Sequence, residues 1–349
     1  MKKQTGRERI LTALQRQEPD TVPHMELWLS PVFVDKIVPG GSEEDFVEYL
    51  DIDGIAIYEL SAQKFETLGE SKGIIRDKWG VIRRATAETT PHPLEAPIKS
   101  ENDLATYVPA DPDDQPYLYE HLENMVERFK GQRAIVAIMQ EPFGTVNDLR
   151  GAANHFMDIV KNPELILRLN DIVVKHHLKL IKNCIDIGAD IIAIAGDFAI
   201  TDGPIVSPKH LEKFAIPPLA ELVRFTHSLG VPLIKHTDGN IMPIMELILG
   251  TGMDALHPID PIAGLDIGVV KEKYGDRICL IGNIDCGPLL MWGRKEEVRQ
   301  AVKETIRKAG RGGGLIAASS HSIQSKVKPE NYIEMVKAIR EYGRYPLSL

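Results

Sequence analysis

A single stretch, IGADIIAIAGDFA (residues 187–199), holds the architectural clue. Upstream of it, Glu164 to Ile187 carries apolar residues at helical spacing, and Gly188 ends that pattern. From Ala189 the chain is almost continuously apolar until it reaches Gly196 and Asp197. A helix closed by glycine and followed by a short apolar run is the local signature of a parallel strand covered on both faces. The same junction recurs at Leu229-Gly230-Val231-Pro232 and at Thr251-Gly252-Met253-Asp254.

Working outward, eight runs of this kind can be placed. They are Val22–Leu29, Asp53–Leu60, and those starting at Ala134, Ala189, Pro232, Asp254, Arg277 and Gly313. Helical patterns separate the later ones, at Glu164–Ile187, Pro208–Leu229, Ile241–Leu249, Ile267–Tyr274 and Lys295–Ala309. Strand and helix in alternation predict an α/β protein, and eight strands close most naturally into a (β/α)8 TIM barrel. An open, doubly wound sheet is the alternative, but no GxGxxG follows a strand as a dinucleotide-binding version would require. The reading is one domain over residues 1–349, opened by an amphipathic helix at Arg7–Arg16. Gly73–Ala85 breaks the rhythm as a β-hairpin around Lys78-Trp79-Gly80. With the Pro-, Thr- and acid-rich stretch that follows to about Asp114, it reads as an insertion at the barrel mouth and a candidate lid. The glycine run Gly310–Gly314 has the look of a phosphate loop, but it precedes a strand, so a helix-to-strand turn is expected.

Composition narrows the function. The chain has 349 residues, 43% hydrophobic and 26% charged, as in an ordinary globular protein. A net charge of -9 argues against a nucleic-acid binder. The basic start lacks the apolar run of a signal peptide, and no segment is apolar enough to span a bilayer, so a cytoplasmic protein acting on small molecules is expected. Three cysteines cannot all pair with one another, so Cys184 and Cys279 read as core and Cys286 as a thiol that could bind metal.

In this fold, polar side chains at strand C-termini are functional candidates. The eight runs offer, in order, His24 and Glu26; Tyr58 and Glu59; Gln140 and Glu141; Asp197; His236 and Asp238; His257; Asn283, Asp285 and Cys286; and Ser319, Ser320 and His321. Residues two apart in a strand face the same side, so His236 and Asp238 can serve one site, as zinc ligands or as an acid–base pair. Asp197, Glu141 and His321 are the catalytic candidates. Glu59, Asn283, Asp285 and His257 are the substrate-binding candidates, and His236, Asp238 and Cys286 the metal candidates. His155, His176, His177, His210 and His227 fall on helical stretches and are expected in solvent.

His236-Thr237-Asp238-Gly239-Asn240, Gly282-Asn283-Ile284-Asp285 and the Ser320-His321-Ser322 end of the eighth run resemble the uroporphyrinogen decarboxylase superfamily, which includes cobalamin-dependent methyltransferases. The start from Arg7-Glu8-Arg9-Ile10 to Pro23 and the hairpin around Trp79-Gly80 are similar too. The decarboxylase branch implies a polycarboxylate porphyrinogen, an arginine-rich first strand, and roles for Asp53, Asp197 and His321. Here that strand reads His24-Met25-Glu26-Leu27-Trp28, with an acid and no arginine. The methyltransferase branch implies zinc held by a His-x-Cys pair on the fifth strand and a cysteine on the eighth. This chain has His236-Thr237-Asp238 and His321 in those places, so the resemblance implies zinc on His236, Asp238 and His321, or with Cys286 or Glu141 recruited. The expected activity is zinc-dependent methyl transfer between a small methylated substrate or thiol and a corrinoid (cobalamin) supplied by a partner protein, with a homodimer possible. The alternatives are a metal-free decarboxylase and a non-catalytic corrinoid or small-molecule binding barrel.

Overall fold

The structure is a computed structural model that describes residues 3–60, 65–68, 73–86 and 90–349. Seven strands, Gly54–Tyr58, Ala134–Gln140, Ile191–Ala195, Leu233–His236, Ala255–His257, Cys279–Ile284 and Leu315–Ser319, form one sheet in chain order. Every pairing in it is parallel. The first expected run, Val22–Leu29, closes the ring without forming a regular strand. It bridges Leu315–Ser319 at His24–Ala317, and the His24 carbonyl accepts the Asp53 N–H at 3.0 Å on its other side. Pro23 has no N–H to add to a ladder. The polypeptide is therefore an α/β barrel of the TIM type.

Side chains alternate strictly between two layers. Ala56, Val136, Ile138, Ala193, Ile234, Ile281, Ile316 and Ala318 fill the barrel interior. Their neighbours Ile55, Ile57, Ile135, Ala137, Ile192, Ile194, Leu233 and Leu280 face the surrounding helices. Period-two alternation with both faces apolar is why the strands read as unbroken runs.

The N-terminal helix Gly6–Leu14 starts in a Thr5–Glu8 capping box and adds Ile10, Ala13 and Leu14 to the interior cluster. The Arg7 N–H donates to the Gln132 carbonyl at 3.0 Å and its guanidinium pairs with Asp190 at 2.9 Å, so the helix covers the end where strands begin. Chemistry is left to the other end. The run Gly310–Gly314 is a turn, as expected. Gly313 has φ +77°, and a Cβ there would lie 2.1 Å from the Gln17 backbone.

The hairpin is where the sequence placed it, with Ile74–Arg76 antiparallel to Ile82–Arg84. Glu66–Thr67 and His92–Glu95 extend it to four strands. Its turn is pinned rather than free. Trp79 is 1% exposed, and the Tyr107 hydroxyl donates to its carbonyl at 3.0 Å. Arg83, fully buried, joins Asp77 at 2.6 Å to Asp148 at 2.7 Å. Lys78 pairs with Glu59 at 2.5 Å.

Three histidine expectations are overturned. His155, His176 and His177 are buried, at 0%, 4% and 0% exposure. His176 and His177 lie on the helix Pro163–Ile187, which meets the barrel at Gln140 and the hairpin at Trp79, and His155, on Ala152–Lys161, packs against Phe143; each position that looks solvent-facing in one amphipathic helix lies under a second layer. Trp79 packs on His176 at 4.4 Å between ring centroids. His227 is exposed, and its Nε2 lies 2.7 Å from Asp254.

Candidate functional site

Strands Ile191–Ala195, Leu233–His236 and Leu315–Ser319 each deliver polar residues to one rim. His236 ends its strand beside Ala195 on one neighbour and His257 on the other. Its Nδ1 shares a proton with His257 Nδ1 at 2.8 Å. Its Nε2 lies 3.8 Å from both Asp197 Oδ1 and Asp238 Oδ1. Asp238 Oδ2 meets His321 Nε2 at 2.7 Å. Ser322 N–H donates to His321 Nδ1 at 2.6 Å, which leaves the ring proton on Nε2, facing the carboxylate. Among the described residues, His236, Asp238 and His321 form a trio whose ligand atoms all lie within 4.8 Å of one another.

The electrostatics suit ligation. Burial above all, with the rings of His257 and His321 close by, holds the His236 imidazole well below 6.5, so it is neutral at neutral pH. Burial likewise takes His257 down to about 3. Burial also disfavours charge on His321, but its bond to Asp238 wins and raises it. Asp238 is raised by burial, and His321 opposes that. Its Oδ1 is buried with no hydrogen-bond partner. Such an oxygen is costly unless something else satisfies it.

Beside the trio opens a cavity of about 410 Å³, lined by Trp28, Tyr58, Gln140, Phe143, Asn147, Asp148, Phe156, Asp197, His236 and His321 among others. Asp197 is half-exposed there, and its Oδ1 accepts the Asp238 N–H at 2.9 Å. Trp28 stands edge-on to His236, 4.6 Å between centroids.

Several candidates are placed elsewhere. Glu59 is buried against Lys78 and accepts the Gln140 N–H at 2.7 Å; burial pushes its carboxyl up, but Lys78 and His177 outweigh this and hold it at about 2. It braces the hairpin instead of facing substrate. Asn283 turns outward to accept from the Thr305 hydroxyl at 3.0 Å. Asp285 accepts the Gly287 and Leu289 N–H groups at 2.8 and 3.1 Å, capping the short helix Pro288–Trp292. Cys286 stays outside the trio. It takes a hydrogen bond from the Ser320 hydroxyl at 3.6 Å, and burial pushes its thiol up to about 12, away from thiolate.

Glu141 caps the helix Pro142–Arg150 through Gly144 N–H at 3.0 Å. It is buried behind the cavity wall, and burial raises it to about 6. Lys235 is buried there too, its Nζ donating to the Gly196 and His236 carbonyls at 2.6 and 2.8 Å. It ties together the ends of the strands that carry Asp197 and His236. Sequence reasoning passed over Asn147 and Asp148. Their signal was an Asn-Asp pair three and four residues after Gly144, and so on one helix face with it.

The chain can now be compared with known proteins. Residues 80–342 match the uroporphyrinogen decarboxylase (URO-D) family. A uroporphyrinogen decarboxylase from Pseudoalteromonas translucida is 27% identical over 274 residues, covering 72% of this chain and 71% of its own. One from Trichodesmium erythraeum is 24% identical over 299 residues, 83% of this chain and 78% of its own. Among solved structures, a methyltransferase from Methanosarcina mazei superposes with a TM-score of 0.77 at 21% identity, covering 97% and 99% of the two chains. A B12-independent methionine synthase from Shewanella gives 0.51 at 11% identity, with 93% and 95% covered. These superpositions speak to the fold. No helix among the described residues is long and apolar enough to cross a membrane. The family match spans most of the sequence, and the chain belongs to the uroporphyrinogen decarboxylase family.

Proposed function

We propose that the chain is one catalytic domain that transfers a methyl group between a small methylated substrate or thiol and a corrinoid carried by a separate protein, with zinc at the barrel mouth. The observation that carries the reading is the trio His236, Asp238 and His321, whose ligand atoms lie within 4.8 Å of one another. Two imidazole nitrogens and a carboxylate oxygen are a donor set that suits zinc and leave a position open for substrate. The unpartnered Asp238 Oδ1, 3.8 Å from His236 Nε2, is the feature that a cation would satisfy. The ion supplies Lewis acidity, activating a thiol or polarising the atom that carries the methyl group.

The remaining roles fall to the chain's own residues. His257 holds the Nδ1 side of His236 and so orients Nε2, as outer partners of metal-bound histidines do. His321 presents a proton to Asp238, and a metal held there would take the place of that proton and require the Ser322 contact to change. Asp197 and Gln140 face the substrate space. In this reading Cys286 and Glu141 are not recruited. Zinc analysis of protein prepared without chelators tests the proposal. Stoichiometric zinc, lost in His236→Ala, is expected; zinc-free protein, or zinc retained in that variant, counts against it.

The curated relatives named above are decarboxylases, which keeps a carboxy-lyase as the second reading. Against it, the described residues lining the cavity include no lysine or arginine to match a polycarboxylate. Incubation with uroporphyrinogen decides between the two: loss of carboxyl groups would establish the decarboxylase. Tight ligand binding without turnover in either assay would favour a binding barrel.

A further inference from the structure

We propose that the mouth cavity takes a small N-methylated ammonium cation that still bears an N–H. This names the substrate class of the same site and rests on the methyl-transfer reading for the group that reacts: the methyl would leave with the C–N electron pair kept by the departing neutral amine, so this nitrogen, which has no lone pair, would not itself be a zinc ligand. Three features of the walls point one way. The first is aromatic: Trp28, Tyr58, Phe143 and Phe156 all line the space. Aromatic faces attract alkylammonium groups, tryptophan most strongly, while the methyl groups find apolar contact. The second is charge. Asp197 stands half-exposed at the cavity, and among the described residues no lysine or arginine lies within ion-pair distance of it. The nearby ammonium of Lys235 is committed to the carbonyls of Gly196 and His236. An anion entering here would be desolvated against a carboxylate.

The third feature is an acceptor. Gln140 Nε2 donates to Asp148 Oδ2 at 3.0 Å, and this fixes which way the amide points. Its Oε1 is therefore the free end, buried and without a hydrogen-bond partner. Asp148 itself is neutralised by Arg83 at 2.7 Å and adds no net demand for charge. A ligand that meets these walls has methyl groups, a positive charge and at least one N–H to give. A quaternary ammonium would give Gln140 no donor, and a neutral alcohol would bring Asp197 no charge beyond what a metal on the trio would supply.

The test uses three probes of one shape: trimethylammonium, tert-butanol and pivalate, titrated by calorimetry and NMR at neutral pH into the purified full chain of known zinc content. Trimethylammonium is expected to bind at least about tenfold more tightly than either of the others. Asp197→Asn is expected to remove most of that preference. Should that variant fold poorly, Gln140→Leu is expected to weaken trimethylammonium binding by about fivefold or more, the loss of one charge-assisted hydrogen bond. The proposal is overturned if the alcohol or the carboxylate binds as well as the cation, if none of the three binds saturably, or if the folded variants keep the full preference. Zinc analysis of the same preparation separates the two readings. Cation preference in zinc-free protein sinks only the metal site, and loaded protein without the preference sinks only the substrate class.

Discussion

Two clusters of histidines in this barrel have opposite characters. At the mouth, His236, His257 and His321 sit at strand ends around a carboxylate oxygen that has no partner. On the outer flank, His176 and His177 lie under the hairpin against Trp79, while His155 packs on Phe143 at 4.6 Å behind the cavity wall. His236 and His257 at the mouth, like His155, His176 and His177, are neutral at neutral pH for the same reason, burial, whereas the bond to Asp238 raises His321. They differ in what surrounds them. The mouth group opens on a cavity and keeps acceptor atoms close together, whereas the flank group is enclosed by aromatic rings and a committed ion pair. Burial is therefore shared by both groups, and ring nitrogens without a partner occur on the flank too; what sets the mouth apart is that its donor atoms converge beside a cavity.

The sharpest way to break this contrast is to damage the flank and watch the mouth. Arg83→Met strands the buried Asp77 carboxylate, and with it Asp148 at the cavity wall, and is expected to cost about 3–5 kcal/mol in urea unfolding. Zinc per folded molecule should not change. If zinc is lost in protein that remains folded, the two regions are not independent. Next in size, His236→Ala should weaken zinc binding by more than about a hundredfold, beyond what loss of an outer partner does. His177→Ala should leave zinc stoichiometry intact; equal effects in a chelator competition would erase the distinction. A smaller effect, about tenfold to a hundredfold in zinc affinity, is expected for His257→Phe, which removes the support of His236 Nδ1 and leaves the ligand itself in place.

A further effect belongs to acid, and it acts gradually with pH. Burial holds His155 down to about 4, from 6.5. A lowered folded value means the unfolded chain takes up the proton first. Stability is then full above about 6.5 and declines as pH falls toward about 4, by up to about 1.4 kcal/mol per pH unit for this one group. His155→Leu should flatten that part of the urea-unfolding profile; an unchanged slope would show that other groups set it.

Much of the architecture was legible from local pattern. Glycine-closed helices followed by apolar runs located the strands, and the hairpin was visible from Gly73 to Ala85. At the mouth, His236 and Asp238 were legible as a pair two residues apart at a strand end, although the strand itself stops at His236. Glu59, Asn283 and Asp285 were not. Each is polar and near a strand end, as a site residue would be, yet Lys78, Thr305 and the N-terminus of Pro288–Trp292 had claimed them. The replacement of Cys286 by His321 in the trio was likewise out of reach of spacing alone.

By itself, then, the sequence determined the order of strands and helices, the apolar layers and the end of the barrel at which polar residues gather. These follow from backbone periodicity and hydrophobic burial, which act over a few residues. Only the tertiary structure decided which of those polar groups meet. Past the last residue of a strand the periodicity stops, and a side chain's partner comes from whatever distant segment packs beside it. Asp238 finds His321, and Glu59 finds Lys78, for that reason.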